Sequence, residues 1–160
     1  MGTIAGREKP IVLYVGNDQG FYREISEPFR VASNVIQQVG TFEEMLVVLH
    51  SHERAEFAII VDRKVDQVNA VLYYLENLAH RCIWCVVIGE DEFGGFESEG
   101  PIVPPESLSR AEQIAASLTQ EEQWARIQIW ALSCGAIDAF IKERLDINHL
   151  ARLLNFSVLW

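Results

Sequence analysis

The stretch Phe57–Val61, FAIIV, constrains this chain more than any other, because its apolar positions follow one another without a break and stop abruptly at Asp62. An unbroken β-branched run, rather than an alternation, suits a strand covered on both faces, and such strands belong to parallel sheets flanked by helices. The pattern returns at Ile11–Val15, more weakly at Val35–Val39, again at Cys82–Gly89 and last at Ala136–Lys142. Between the runs the apolar spacing switches to three and four, the period of a helix. Phe21, Ile25 and Phe29 set one such face, which Pro28 is expected to end or kink, since proline lacks the amide an inner turn needs. Thr41-Phe42-Glu43-Glu44 reads as a capping box opening a helix through about Ser51. Val68, Val71, Leu72, Leu75 and Leu78 mark a third helix. Ser109-x-x-Glu112 and Thr119-x-x-Glu122 predict two consecutive helices, and Asp146 caps a last one carrying Leu150, Leu153 and Leu154.

Strands and helices in this alternation predict an α/β protein. Its doubly wound five-stranded parallel sheet has helices on both faces and strand order 2-1-3-4-5, because right-handed crossovers leave few other arrangements. The domain spans 10–155, after a flexible N-terminal segment 1–9. Residues 90–118 form an added loop and helix after the fourth strand, far longer than such a connection needs. The apolar tail 156–160, Phe156-Ser157-Val158-Leu159-Trp160, is expected to link to an output domain or to dock on a partner.

A net charge of -10 on 160 residues argues against direct nucleic-acid binding, since phosphate contacts need clustered Lys and Arg. No apolar run reaches the length of a membrane span, and MGTIAGREKP lacks the apolar core of a signal peptide, so a cytoplasmic location is expected. Cys82 and Cys85 are spaced as on opposite faces of a strand, and with Cys134 they read as core residues rather than metal or redox groups.

Two features point to contacts with other proteins. In the added segment Glu90, Asp91, Glu92, Glu97 and Glu99 surround Phe93 and Phe96, with Gly94-Gly95 between the rings. This is either a docking loop with two aromatics in an acidic frame or a solvated loop whose rings tuck back onto the domain. The helical stretch Thr119–Cys134 places Trp124, Ile127, Ala131 and Cys134 on one face, with Ile129 and Trp130 spilling around it. The surplus is explained by a dimer contact or by burial beneath the added segment.

Asp62 after the third strand and Lys142 after the fifth fall on one edge of the predicted sheet, the edge where doubly wound folds place their sites. In this the chain resembles the response-regulator receiver domain of two-component signalling, over about Pro10 to Leu154 apart from the added segment. The resemblance implies that Asp62 stands where the family's aspartate accepts a phosphoryl group and Lys142 where its lysine contacts phosphoryl oxygens. A carboxylate nucleophile and a trianionic group in flight need a hard cation and a fixed positive charge. The family holds Mg²⁺ with an acidic pair after the first strand, and here Gly16-Asn17 occupies those positions with Asp18 one place later. Asn17, Asp18 and Asp62 are thus the only metal candidates, and a weakly held Mg²⁺ the only cofactor the pattern leaves room for. Gly89-Glu90 replaces the family's hydroxyl residue and small residue after the fourth strand. The aromatic switch position falls on Ala139 or Phe140, and Glu143 replaces the proline after the lysine.

These departures favour a degenerate pseudo-receiver: a signal-transduction module that is not phosphorylated, carries no catalytic residues, and acts through homodimerisation or through a signalling protein or linked output domain. A working phosphoacceptor using Asp62 with Mg²⁺ is the alternative. A small nucleotide- or metabolite-binding enzyme on a flavodoxin-like sheet is a further one. The loop Gly16-Asn17-Asp18-Gln19-Gly20 lacks both phosphate-binding glycine patterns, however, and no nucleophile elbow is present.

Overall fold

The computed structural model describes residues 9–78, 81–90 and 120–159. Its five-stranded sheet has the order β2-β1-β3-β4-β5, and each pairing is parallel. The strands are β1 Ile11–Val15, β2 Ile36–Val39, β3 Phe57–Asp62, β4 Cys82–Ile88 and β5 Ala139–Ile141. The described helices, in chain order, are α1 Gln19–Val31, α2 Phe42–Ser51, α3 Val68–Glu76, α4 Gln120–Ser133 and α5 Ile147–Leu159.

Strand periodicity sorts the apolar side chains into two layers. Leu13, Val15, Ile59, Val61, Trp84 and Val86 pack with Met45 and Leu49 of α2, Val71 and Leu75 of α3, and Ile127 and Ala131 of α4. Val12, Tyr14, Ala58, Ile60, Cys85 and Val87 pack with Phe21, Ile25 and Phe29 of α1 and with Leu150 and Leu154 of α5. The unbroken run in β3 is thus consumed on both sides, every one of its residues being buried. Each full burial of a Val or Ile side chain contributes about 1.5–3 kcal/mol relative to exposure. Cys82 and Cys85 fall in different layers, as their spacing on a strand requires.

Several local expectations change. Pro28 neither ends nor visibly breaks α1, which runs on to Val31. The carbonyl of Pro28 still accepts from Ala32 at 3.0 Å, and the amide it lacks would have met the carbonyl of Glu24, an exposed residue water can satisfy. β5 is shorter than Ala136–Lys142. Asp138 turns its carboxylate onto the Ala139 amide at 2.8 Å just before the strand begins, and Lys142 opens the 3₁₀ turn Lys142–Arg144. Leu78 lies beyond the end of α3. α5 runs from Ile147 to Leu159.

The capping box at Thr41 forms, with the Glu44 amide donating to Thr41 Oγ1 at 3.1 Å, while Glu44 Oε1 accepts from the Gly40 amide at 2.9 Å. Asp146 Oδ1 accepts from the His149 amide at 3.2 Å and caps α5. At the end of α4 the Ala136 amide donates to Ala131 O at 3.1 Å and the Gly135 amide to Leu132 O at 3.0 Å. This closure needs a left-handed residue, and Gly135 supplies it at φ 97°.

Candidate functional site

The two residues that carry the sequence resemblance meet at the carboxyl edge of the sheet. By strand parity Tyr14, Asp62 and Lys142 share the α1/α5 face: Tyr14 lies with Val12, Asp62 follows Ala58 and Ile60, and Lys142 follows Phe140. Lys142 Nζ lies 2.5 Å from Asp62 Oδ2 and 3.3 Å from Asp18 Oδ2. Asp62 is buried and Lys142 is half-buried as a residue, their side chains 4% and 9% exposed, whereas the Asp18 side chain is 45% exposed. The ammonium also sits 5.4 Å from the ring centroid of Phe21, at the start of α1.

Asp62 has further partners. The Tyr14 hydroxyl donates to Asp62 Oδ2 at 2.7 Å, and the Lys64 amide donates to Asp62 Oδ1 at 3.0 Å. The same hydroxyl accepts from the Asp18 amide at 3.3 Å. Asp18 in turn caps α1 by accepting from the Phe21 amide at 3.0 Å. Asp62 is therefore tied twice to the β1–α1 loop, by a phenol and by an ammonium.

The electrostatics follow this wiring. Burial, then the hydrogen bond and charge of Asp62, push the Tyr14 phenol far above its ordinary value. Burial alone would lower Lys142, but the bonds and charges of Asp62 and Asp18 outweigh it and raise the ammonium pKa. The capped Phe21 amide, and after it Lys142, hold the Asp18 carboxyl below its usual value.

The other sequence candidates fall elsewhere. Asn17 donates to the Gly40 carbonyl at 3.4 Å, toward the loop after β2, so it is not brought together with Asp18 and Asp62. Among the described residues no group of three or more His, Cys, Asp or Glu side chains is arranged to hold a metal ion. A hard cation would need oxygens around the space between Asp18 and Asp62, and the Lys142 ammonium bridges that space. Gly89 is buried at the end of β4. Glu90 does not turn toward Asp62: its Oε1 accepts from Arg144 Nε at 2.8 Å, and its amide donates to Glu143 Oε1 at 2.8 Å. An arginine that the sequence reading did not use thus holds the Glu90 carboxylate. Ala139 is buried, and Phe140 packs partly buried on the α1/α5 face.

Trp124 and Trp130 are both partly buried against the layer formed by α2, α3 and α4. The Arg63 guanidinium lies 5.6 Å from the centroid of the Trp130 ring, which is where the basic residue after Asp62 goes. The outer side of α4 instead exposes Ile129 at 67% and Leu132 at 51%. Phe93, Phe96, Asp91 and the capping boxes at Ser109 and Thr119 lie outside the described residues, apart from Glu122 at the start of α4. Sequence reasoning missed Tyr14, although a phenol within an otherwise aliphatic strand, two residues before a glycine, was its visible signal.

A five-stranded parallel sheet of this order with helices on both faces is the flavodoxin-like fold of response-regulator receiver domains. Two solved structures show the likeness at full length. One is a response regulator receiver domain protein from Clostridium thermocellum, at TM-score 0.59 and 11% identity over 94% of each chain. Another is a response regulator receiver protein from Burkholderia phymatum, at TM-score 0.55 and 17% identity over 94% of this chain and 95% of that one. No protein-family model matches the sequence, and no curated protein does. At these identities the likeness establishes the fold. No helix among the described residues is long and apolar enough to cross a membrane.

Proposed function

We propose that this chain is a regulatory module of signal transduction: a receiver-like domain that takes no phosphoryl group and uses no Mg²⁺, and that works by dimerisation or by contact with a signalling protein or linked output domain. It is a binding module rather than an enzyme. The observation that carries this reading is the state of Asp62. Its Oδ2 accepts from both the Tyr14 hydroxyl and the Lys142 ammonium, and its Oδ1 accepts from the Lys64 amide. A nucleophilic carboxylate needs an exposed lone pair and a neutralising cation, and here three donors occupy most of the acceptor sites of a buried carboxylate whose charge is already countered. The absence of a hydroxyl at Gly89 and the diversion of Glu90 to Arg144 support the same reading.

The contact function draws support from α4, whose outer face leaves Ile129 and Leu132 in water beside partly buried Trp124 and Trp130. Titration with beryllofluoride and Mg²⁺ tests the proposal, followed by intrinsic tryptophan fluorescence and by amide NMR shifts around Asp62. No saturable change is expected. A Mg²⁺-dependent complex that disappears in Asp62→Asn would establish the chain as a working phosphoacceptor instead.

A further inference from the structure

We infer that Tyr14 is an internal plug and that Gly16 is the residue that makes room for it, so that the phenol and the Lys142 ammonium together do the cross-linking a divalent cation would do between Asp62 and the β1–α1 loop. This rests on the metal-free reading above and explains how the site stays shut.

Volume sets the constraint at position 16. A Cβ placed on Gly16 would lie 2.6 Å from the Tyr14 hydroxyl oxygen, 2.7 Å from Tyr14 Cζ and 2.6 Å from Asp62 Cβ. No side chain fits there while Tyr14 and Asp62 hold their positions. An acidic residue at position 16 is incompatible with the phenol of Tyr14 and would also need Asp62 to give way, and this sequence carries the phenol. The Gly16 backbone has no slack to absorb the conflict: its amide donates to Val39 O at 2.8 Å, and its carbonyl accepts from Gln38 Nε2 at 3.0 Å.

The ring is also held. Tyr14 is fully buried. It stacks on Tyr22 at 6.1 Å and 16° and meets Phe21 at 5.5 Å and 59°, so the phenol cannot leave Asp62 without displacing α1. Its hydroxyl links Asp62 Oδ2 to the Asp18 amide, while Lys142 links Asp62 Oδ2 to Asp18 Oδ2. A divalent cation would join these same two elements through carboxylates. Here one neutral donor and one ammonium achieve it with no ion drawn from solution.

The test uses the whole chain and Mn²⁺ as the probe, read by water-proton relaxation and by paramagnetic broadening of amide signals near Asp62. Tyr14→Val is expected to gain saturable Mn²⁺ binding at least about tenfold tighter than the wild type. Adding Asp62→Asn should abolish the gain. Tyr14→Phe, which keeps the ring over the site, should behave as the wild type. A folded Tyr14→Val variant that binds no better than wild type would overturn the plug while leaving the metal-free reading standing. Tight, Asp62-dependent Mn²⁺ binding by the wild type would overturn both.

A measurement on the native chain guards against variants that fail to fold. In an ultraviolet titration of the folded protein, Tyr14 should resist ionisation, and Tyr14→Phe should remove a resistant group from the titration. A titration that Tyr14→Phe leaves without loss of a resistant group would show that Tyr14 does not hold Asp62.

Discussion

Lys142 Nζ and Asp62 Oδ2 lie 2.5 Å apart although 80 positions separate the two residues in the chain. The contact joins the end of β3 to the turn after β5 and, through Asp18, to the start of α1. Both side chains are almost wholly withdrawn from water, so neither can lose its partner cheaply.

Lys142→Ala is accordingly expected to destabilise the fold by about 3–5 kcal/mol, because it leaves a buried carboxylate without its ammonium. Asp62→Asn should cost less, about 1–3 kcal/mol, since Lys142 keeps Asp18 and the new amide oxygen still accepts from Tyr14. Urea unfolding of the two variants beside the wild type checks the order. A milder effect for the lysine change would mean that the pair contributes little.

Alkaline pH should weaken the site in a defined window. Tyr14 and Lys142 both have folded pKa values raised above their ordinary 10.0 and 10.5, so their contribution is fully present below about pH 10 and is lost as pH rises through the folded values. In Tyr14→Phe the fall of stability above pH 10 should become shallower by about one proton. Its stability at neutral pH should drop by about 1–2 kcal/mol for the lost buried hydrogen bond. Stability measured in urea at a series of pH values reads both effects. Asp18 acts in the opposite direction: its lowered pKa gives a contribution present above the ordinary 3.8 and lost on acidification, and its exposure keeps that contribution small.

The Glu90–Arg144 pair is the counter-example. Its side chains are 41% and 59% exposed, so Arg144→Ala should change stability by less than about 1 kcal/mol in the same unfolding assay. A larger loss would place the pair in the lock on Asp62 rather than beside it.

For assembly, Ile129→Glu and Leu132→Glu should shift the species seen by sedimentation toward monomer without changing the unfolding midpoint, because both side chains are exposed. Trp130→Glu is expected to lower stability as well, since Trp130 packs partly on the core and under Arg63. A wild type that stays monomeric at high concentration would remove self-association from the proposal and leave a different partner.

Thiol labelling probes the two-sided core. Cys85 is fully buried and its thiol is pushed up by burial, Cys82 is pushed to about 11 for the same reason, and Cys134 is raised but half-buried. Cys134 should react first and the strand cysteines only on unfolding, as mass spectrometry of the labelled peptides would report.

The sheet was legible in the sequence because strands buried on both faces must be apolar throughout, which separates them from amphipathic helices and from polar loops. Ile11–Val15 and Phe57–Val61 announce themselves in this way, and the right-handed crossover rule then leaves little choice of order. Asp62 and Lys142 were legible for a related reason: a charge that ends an apolar strand must sit at the sheet edge. Pro28 misled the reading because a proline's cost depends on whether water can reach the carbonyl it leaves unpaired, which no local pattern records.

What the sequence by itself determined is therefore the alternation of buried strands and one-sided helices, and with it the edge on which charge collects. Only the tertiary structure decided what that charge does. Strand parity put Tyr14 and Asp62 on one face, the missing side chain of Gly16 let the phenol reach across, and the turn after β5 delivered the Lys142 ammonium to the same oxygen. It also sent Asn17 to Gly40 and Glu90 to Arg144. These outcomes depend on distances of about 3 Å between residues far apart in the chain, and a linear pattern carries no such distances.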